Sequence, residues 1–130
     1  MSQDNVELAE RAFDAVRRGD LDGFLALIDP DVQFTSLITE ADRRSYSGHE
    51  GVRDWFSTVR TTFEEFESHP EEIREIGGPL IVRLRMEGTL GGVRIKQTMW
   101  QAVRVRAGLI AGWDVFRTEA EALEAVGLSE

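Results

Sequence analysis

Val93–Arg106, VRIKQTMWQAVRVR, is the stretch whose reading decides the fold. Val93, Ile95, Gln97, Met99, Gln101, Val103 and Val105 fall on one side of it, and Arg94, Lys96, Thr98, Trp100, Ala102, Arg104 and Arg106 on the other. Successive side chains of a strand point to opposite faces, so this alternation predicts a long, half-buried strand at the centre of an antiparallel sheet. Two glutamines within the apolar side are the unusual feature. A buried amide needs hydrogen-bond partners, so the pair points to a face that closes over a cavity. A filled core, with the amides bonded to each other or to backbone, is the alternative.

Working outward, Leu80–Gly88 alternates cleanly, with Leu80, Val82, Leu84 and Met86 on one side, and Leu109–Phe116 follows the long strand. Gly77-Gly78-Pro79 reads as a turn, and Gly91-Gly92 and Ala107-Gly108 make hairpins. His69–Ile76 is an acidic strand of poor alternation. Upstream, Gly48 opens the longest and most aromatic helix, whose stripe is Val52, Trp55, Phe56, Val59, Phe63 and Phe66. Thr39–Ser47, charged and polar, reads as a loop, and Val32, Phe34 and Ser36 alternate as a first strand.

At the start, Ser2–Arg18 carries Val6, Ala9, Phe13 and Val16 at helical spacing, with Ala12 beside them. Gly19 ends that helix, and Asp20 caps a shorter one carrying Leu21, Phe24, Leu25 and Ile28, which Asp29-Pro30 stops. At the other end, Thr118-x-x-Glu121 is a capping box opening a helix over Glu119–Val126, and Gly127 ends it. The expected architecture is one domain over residues 1–130, α+β, with a curved mixed or antiparallel sheet wrapped around a long helix.

With 130 residues and 42% hydrophobic content, the chain has material for one sizeable core. No apolar run approaches the ~20 residues of a membrane span. MSQDNVELAE lacks the basic start and apolar stretch of a signal peptide, and the chain has no cysteine. Both features fit the cytoplasm. A net charge of −9 argues against nucleic acid or an anionic membrane as the main partner.

Arg18-Gly19-Asp20-Leu21-Asp22, Asp29-Pro30-Asp31-Val32, Gly48-His49-Glu50-Gly51-Val52 and Glu121–Leu128 occur in this order of elements. Together they resemble the SnoaL-like branch of the nuclear transport factor 2-like superfamily. The resemblance implies a cone-shaped, cystatin-like fold with a cavity between sheet and helices, and a homodimer. It does not choose a reaction, since relatives of this fold include isomerases, dehydratases, epoxide hydrolases, cyclases and proteins that only bind or assemble.

Registered on Gly19–Gly23, the catalytic positions of the similar ketosteroid isomerases fall on Ala12, Ser36 and Gln101. Alanine donates nothing, and serine is no base near neutral pH. Only Gln101 keeps a hydrogen-bonding role. The resemblance to limonene epoxide hydrolases, around Gly112-Trp113, implies an arginine and two aspartates about a water. One aspartate position falls on Val115. Turning the strands over would bring Arg85, Glu87 and Asp114 inward but expose Leu84 and Met86, at about 2 kcal/mol each unless a partner covers them.

The expected pocket is therefore lined by Phe34, Ser36, Trp55, Phe56, Val59, Leu84, Met86, Gln97, Met99, Gln101, Trp113 and Val115. Its occupant is a small apolar or amphipathic molecule, oriented by Gln101, Gln97 and Ser36. Tyr46 and His49 are candidates for the pocket mouth; the alternative leaves both on the surface, with His49 part of a structural turn. The histidine spacing matches no metal motif, so neither metal nor cofactor is expected. Arg83, Arg85, Arg94, Lys96, Arg104 and Arg106 would form a basic stripe on the outer face, paired with Glu71, Glu72, Glu75 and Glu87 or with a second subunit. Trp100 on that face would anchor the homodimer. A cofactor-free hydrolase, isomerase or lyase, like an epoxide hydrolase or polyketide cyclase, and a non-catalytic dimerisation module are the alternatives to a binding domain.

Overall fold

The computed structural model describes residues 2–39 and 42–127. The elements, in chain order, are α1 (Ser2–Arg18), α2 (Leu21–Leu25), β1 (Ile28–Thr39), β2 (Asp42–Ser47), α3 (Gly48–Thr62), β3 (Glu64–Glu75), β4 (Leu80–Leu90), β5 (Val93–Arg106), β6 (Leu109–Phe116) and α4 (Glu119–Ala125). The six strands form one curved sheet in the order β2-β1-β6-β5-β4-β3. On its inner face α1 lies against β3 and α3 against β1.

The long strand spans Val93–Arg106 and lies antiparallel to both neighbours, β4 and β6. The sheet as a whole is mixed, because β1 and β6 run parallel. Leu80, Val82, Leu84 and Met86 pair with Val103, Gln101, Met99 and Gln97, so the apolar sides of the two strands share the inner face. The outer face is not wholly solvated. Ile81 and Ala102 are buried there beneath Ala122 of α4, with Trp100 and Phe116 packed around them. Thr118 opens α4 by accepting a hydrogen bond from the Glu121 N–H.

Four boundaries differ from the sequence reading. Thr39–Ser47 is not a loop, because Asp42–Ser47 is an edge strand paired with β1. Edge strands carry polar residues on their solvated side, which hides the alternation; Glu40 and Ala41 lie outside the described residues. Ile28 belongs to β1, not to the second helix, and β1 runs through Asp29-Pro30. Proline fits there because the ladder to β2 begins only at Gln33, and the ladder to β6 passes directly from Ile28 to Gln33.

The long helix stops at Thr62, so Phe63 and Phe66 leave its stripe. Phe63 turns to extended backbone and sets its ring against Gly88 of β4, where a Cβ would stand 3.1 Å from that ring. β3 therefore begins at Glu64 rather than His69, and two register shifts along it explain its poor alternation.

The joints depend on a few close approaches. Arg60 of α3 donates to the Val16 carbonyl at 2.7 Å, a second bond to an oxygen that already accepts from the Gly19 N–H at the end of α1, and its guanidinium lies 4.5 Å from the Phe56 ring centroid. Gly112 leaves room for Arg104 to reach the Gln33 carbonyl at 3.2 Å. A Cβ at Gly112 would stand 2.5 Å from that carbonyl oxygen.

Candidate functional site

Between the inner face of the sheet and helices α1 and α3 lies a cavity of about 70 Å³. β1 supplies Ser36, α3 supplies Trp55 and Val59, β4 supplies Leu84 and Met86, β5 supplies Gln101, and β6 supplies Trp113 and Val115. All eight stand in the set expected from sequence. Ala9, Ala12, Phe13 and Val16 of α1, with Phe24, Phe63, Phe66, Ser68, Val103 and Ile110, complete the wall and were not foreseen. The α1 contribution had a signal: two alanines in an otherwise large apolar stripe leave space instead of filling it. Ser68 had none, because it sits in the irregular part of β3.

Four expected lining residues do not reach the void. Phe34 is clamped between Tyr46 and Trp113, with ring centroids at 4.9 and 4.0 Å, and is 2% exposed. Phe56 faces Arg60, and Met99 is packed into the core opposite Leu84. Gln97 shares the face of Gln101 but lies four residues further out beside Met86, half-buried and outside the lining. The two amides therefore do not act as a pair. Tyr46 and His49 do not line the void either. Tyr46 stacks on Phe34, its hydroxyl buried without a hydrogen-bond partner. His49 Nε2 donates to the Ile28 carbonyl at 2.9 Å and ties the start of α3 to β1.

The polar groups at the cavity are few. Trp55 Nε1 donates to Ser36 Oγ at 2.9 Å. Gln101, 8% exposed, and Ser68, 5% exposed, line the cavity without a side-chain hydrogen bond to any described residue. No ionisable side chain lines it among the described residues. Nor does any group of three or more His, Asp or Glu among them stand close enough to hold a metal ion.

The charged residues gather outside. Arg85 and Glu87 point away from the cavity and bond to each other at 2.6 Å, so the inward arginine and carboxylates of an epoxide hydrolase are not assembled. Glu87 also accepts from Arg94 at 2.9 Å, and Glu71 meets both Arg85 and Arg83. Arg104 pairs with Asp114, and Arg106 with Asp29. The five arginines of the basic stripe are thus paired with carboxylates of the same chain. Hydrogen bonds from Arg94 and then Arg85 hold the Glu87 carboxyl below the usual carboxylate range. The Asp31 backbone N–H, and then Arg106, do the same for Asp29.

Among solved structures, the chain is similar to an NTF2-like protein of unknown function from Burkholderia pseudomallei, at 23% identity and a TM-score of 0.78 over 98% of this chain and 99% of that one. Bal32a, from a soil-derived mobile gene cassette, has a TM-score of 0.82 at 15% identity, over 95% of this chain and 96% of its own. SalBIII, an epoxide hydrolase/cyclase-like enzyme in pyran ring formation in polyether salinomycin, has a TM-score of 0.74 at 21% identity, over 90% and 92%. These likenesses define the class, an NTF2-like α+β fold. Within it, the model of the SnoaL-like domain matches residues 9–113, and the chain belongs to that family. No curated protein matches the chain. Among the described residues, no helix is long and apolar enough to cross a membrane.

Proposed function

We propose that this SnoaL-like domain binds a small, neutral, largely apolar molecule in the cavity between sheet and helices, with Gln101 orienting it. The observation that carries this reading is the Gln101 amide, buried on a central strand, unpartnered among the described residues and open to an apolar void. A largely buried amide without protein partners is costly, and a ligand with a complementary polar group lowers that cost. Ligand pockets commonly have this make-up, mostly apolar with a few placed polar groups.

Size sets a further condition. At about 70 Å³ the void is smaller than the roughly 150 Å³ engineered cavity that admits benzene. Anything beyond a few heavy atoms enters by displacing Phe13, Trp55, Phe66 or Met86, which are the half-buried members of the wall. Acid–base catalysis by the wall itself has no support, because none of its described side chains titrates near neutral pH.

Thermal-shift screening of small neutral compounds against wild type and Gln101→Leu tests the reading. A ligand at a hundred times its dissociation constant adds about 2.7 kcal/mol to native stability. We expect compounds that raise the wild-type melting temperature and lose most of that effect in the variant. If every stabilising compound acts equally on both proteins, Gln101 has no orienting role.

A further inference from the structure

Ser36 and Val115 each lie two residues beyond the paired Phe34 and Trp113, and Val115 is paired in turn with Gln101. All three line the cavity. The Trp55 indole, which has a donor and no acceptor, holds Ser36 through its oxygen at 2.9 Å. One lone pair of the hydroxyl is thereby fixed toward α3, and its hydrogen must point elsewhere. No described protein group accepts that hydrogen, and Ser36 is 7% exposed, so bulk water does not receive it. The cavity is the direction left. A hydroxyl that already accepts a hydrogen bond is a stronger donor, because the two bonds polarise each other. The described wall offers no countercharge, so an ionic ligand would be desolvated without compensation.

We propose that Trp55 and Ser36 form a preset hydrogen-bond donor that selects neutral ligands bearing an acceptor oxygen, such as a ketone or ester carbonyl, over hydrocarbons of the same shape. The proposal rests on the reading of the cavity as a binding site and adds its ligand class. Ser36 touches the ligand. Trp55 is a positioning residue that acts through the hydroxyl.

Cyclobutanone and methylenecyclobutane match the small void and differ in the carbonyl oxygen. Each is titrated into ¹⁵N-labelled protein while the Trp55 indole resonance, assigned by its absence from Trp55→Phe, is followed. The expected result is that wild type binds the ketone roughly tenfold more tightly than the hydrocarbon, and that the ketone moves the indole resonance. In Ser36→Ala the preference falls to about twofold or less, and in Trp55→Phe it falls part of the way. Because the preference is a ratio taken within each protein, a change of cavity volume made by either substitution acts on both probes and cancels. A ketone preference unchanged in both variants overturns the proposal and leaves the binding site standing. Failure of wild type to bind either probe overturns the binding reading and the proposal with it.

Discussion

Gln101 has two donors and an acceptor on its amide and satisfies none of them with a described protein group. Replacing such a group by an apolar one of similar size removes a desolvation penalty. Gln101→Leu is therefore expected to raise the ligand-free melting temperature by about 3 °C, corresponding to roughly 1 kcal/mol in a chain of this length. Circular dichroism melting checks this, and a fall of that size would mean that the amide contributes to the native fold. A residue that weakens the fold while furnishing a polar contact is the usual compromise at a binding site. Its inward direction was legible in the sequence, because the alternation of VRIKQTMWQAVRVR fixes which side chains share a face. The separation of Gln97 from Gln101 was not, since alternation gives the face but not where the cavity ends.

Among the elements, the hairpins were read correctly because paired positive-φ residues announce them: Gly91 and Gly92 have φ of 56° and 82°, the hand that suits the twist of two antiparallel strands. β2 escaped notice because it is a polar edge strand, and the end of α3 was misread because Phe63 and Phe66 continue the helical spacing by coincidence. What stops the helix is the space above Gly88, a long-range fact that no local window contains. The outer ladder of β3, β4 and β5 supports a pH prediction. A carboxylate whose folded pKa is depressed adds stability above its unfolded pKa and loses it as pH falls through the folded one. Glu87 starts from 4.5 and is shifted down by Arg94 and Arg85, so its contribution is complete near neutrality and disappears in acid. Glu87→Gln is expected to lower the melting temperature near pH 7 and to flatten its decline toward pH ~3. Parallel acid limbs for the two proteins would show that the ion pairs contribute nothing.

At the level of the molecule, α4 is the cover of the outer face, where Ala122 is fully buried over Ile81 and Ala102. A chain ending at Arg117 uncovers this patch together with Trp100 and Phe116. We expect it to lose about 2 kcal/mol of stability and to self-associate with rising concentration in analytical ultracentrifugation. A truncated chain that sediments like the full one would show that the patch is too small to matter. The fold class was accessible from sequence because period-2 and period-3.6 patterns alternate along most of the chain. The parallel contact between β1 and β6 was not, because no turn residue marks a joint between segments some eighty positions apart. That joint has a temporal consequence. On a ribosome, β1 emerges early and β6 near the end, so Phe34 waits for Trp113 through most of synthesis. The hollow that would receive a guest has no complete rim until the last hairpin is released, and the nascent polypeptide must keep its aromatic ladder from sticking to its neighbours until then.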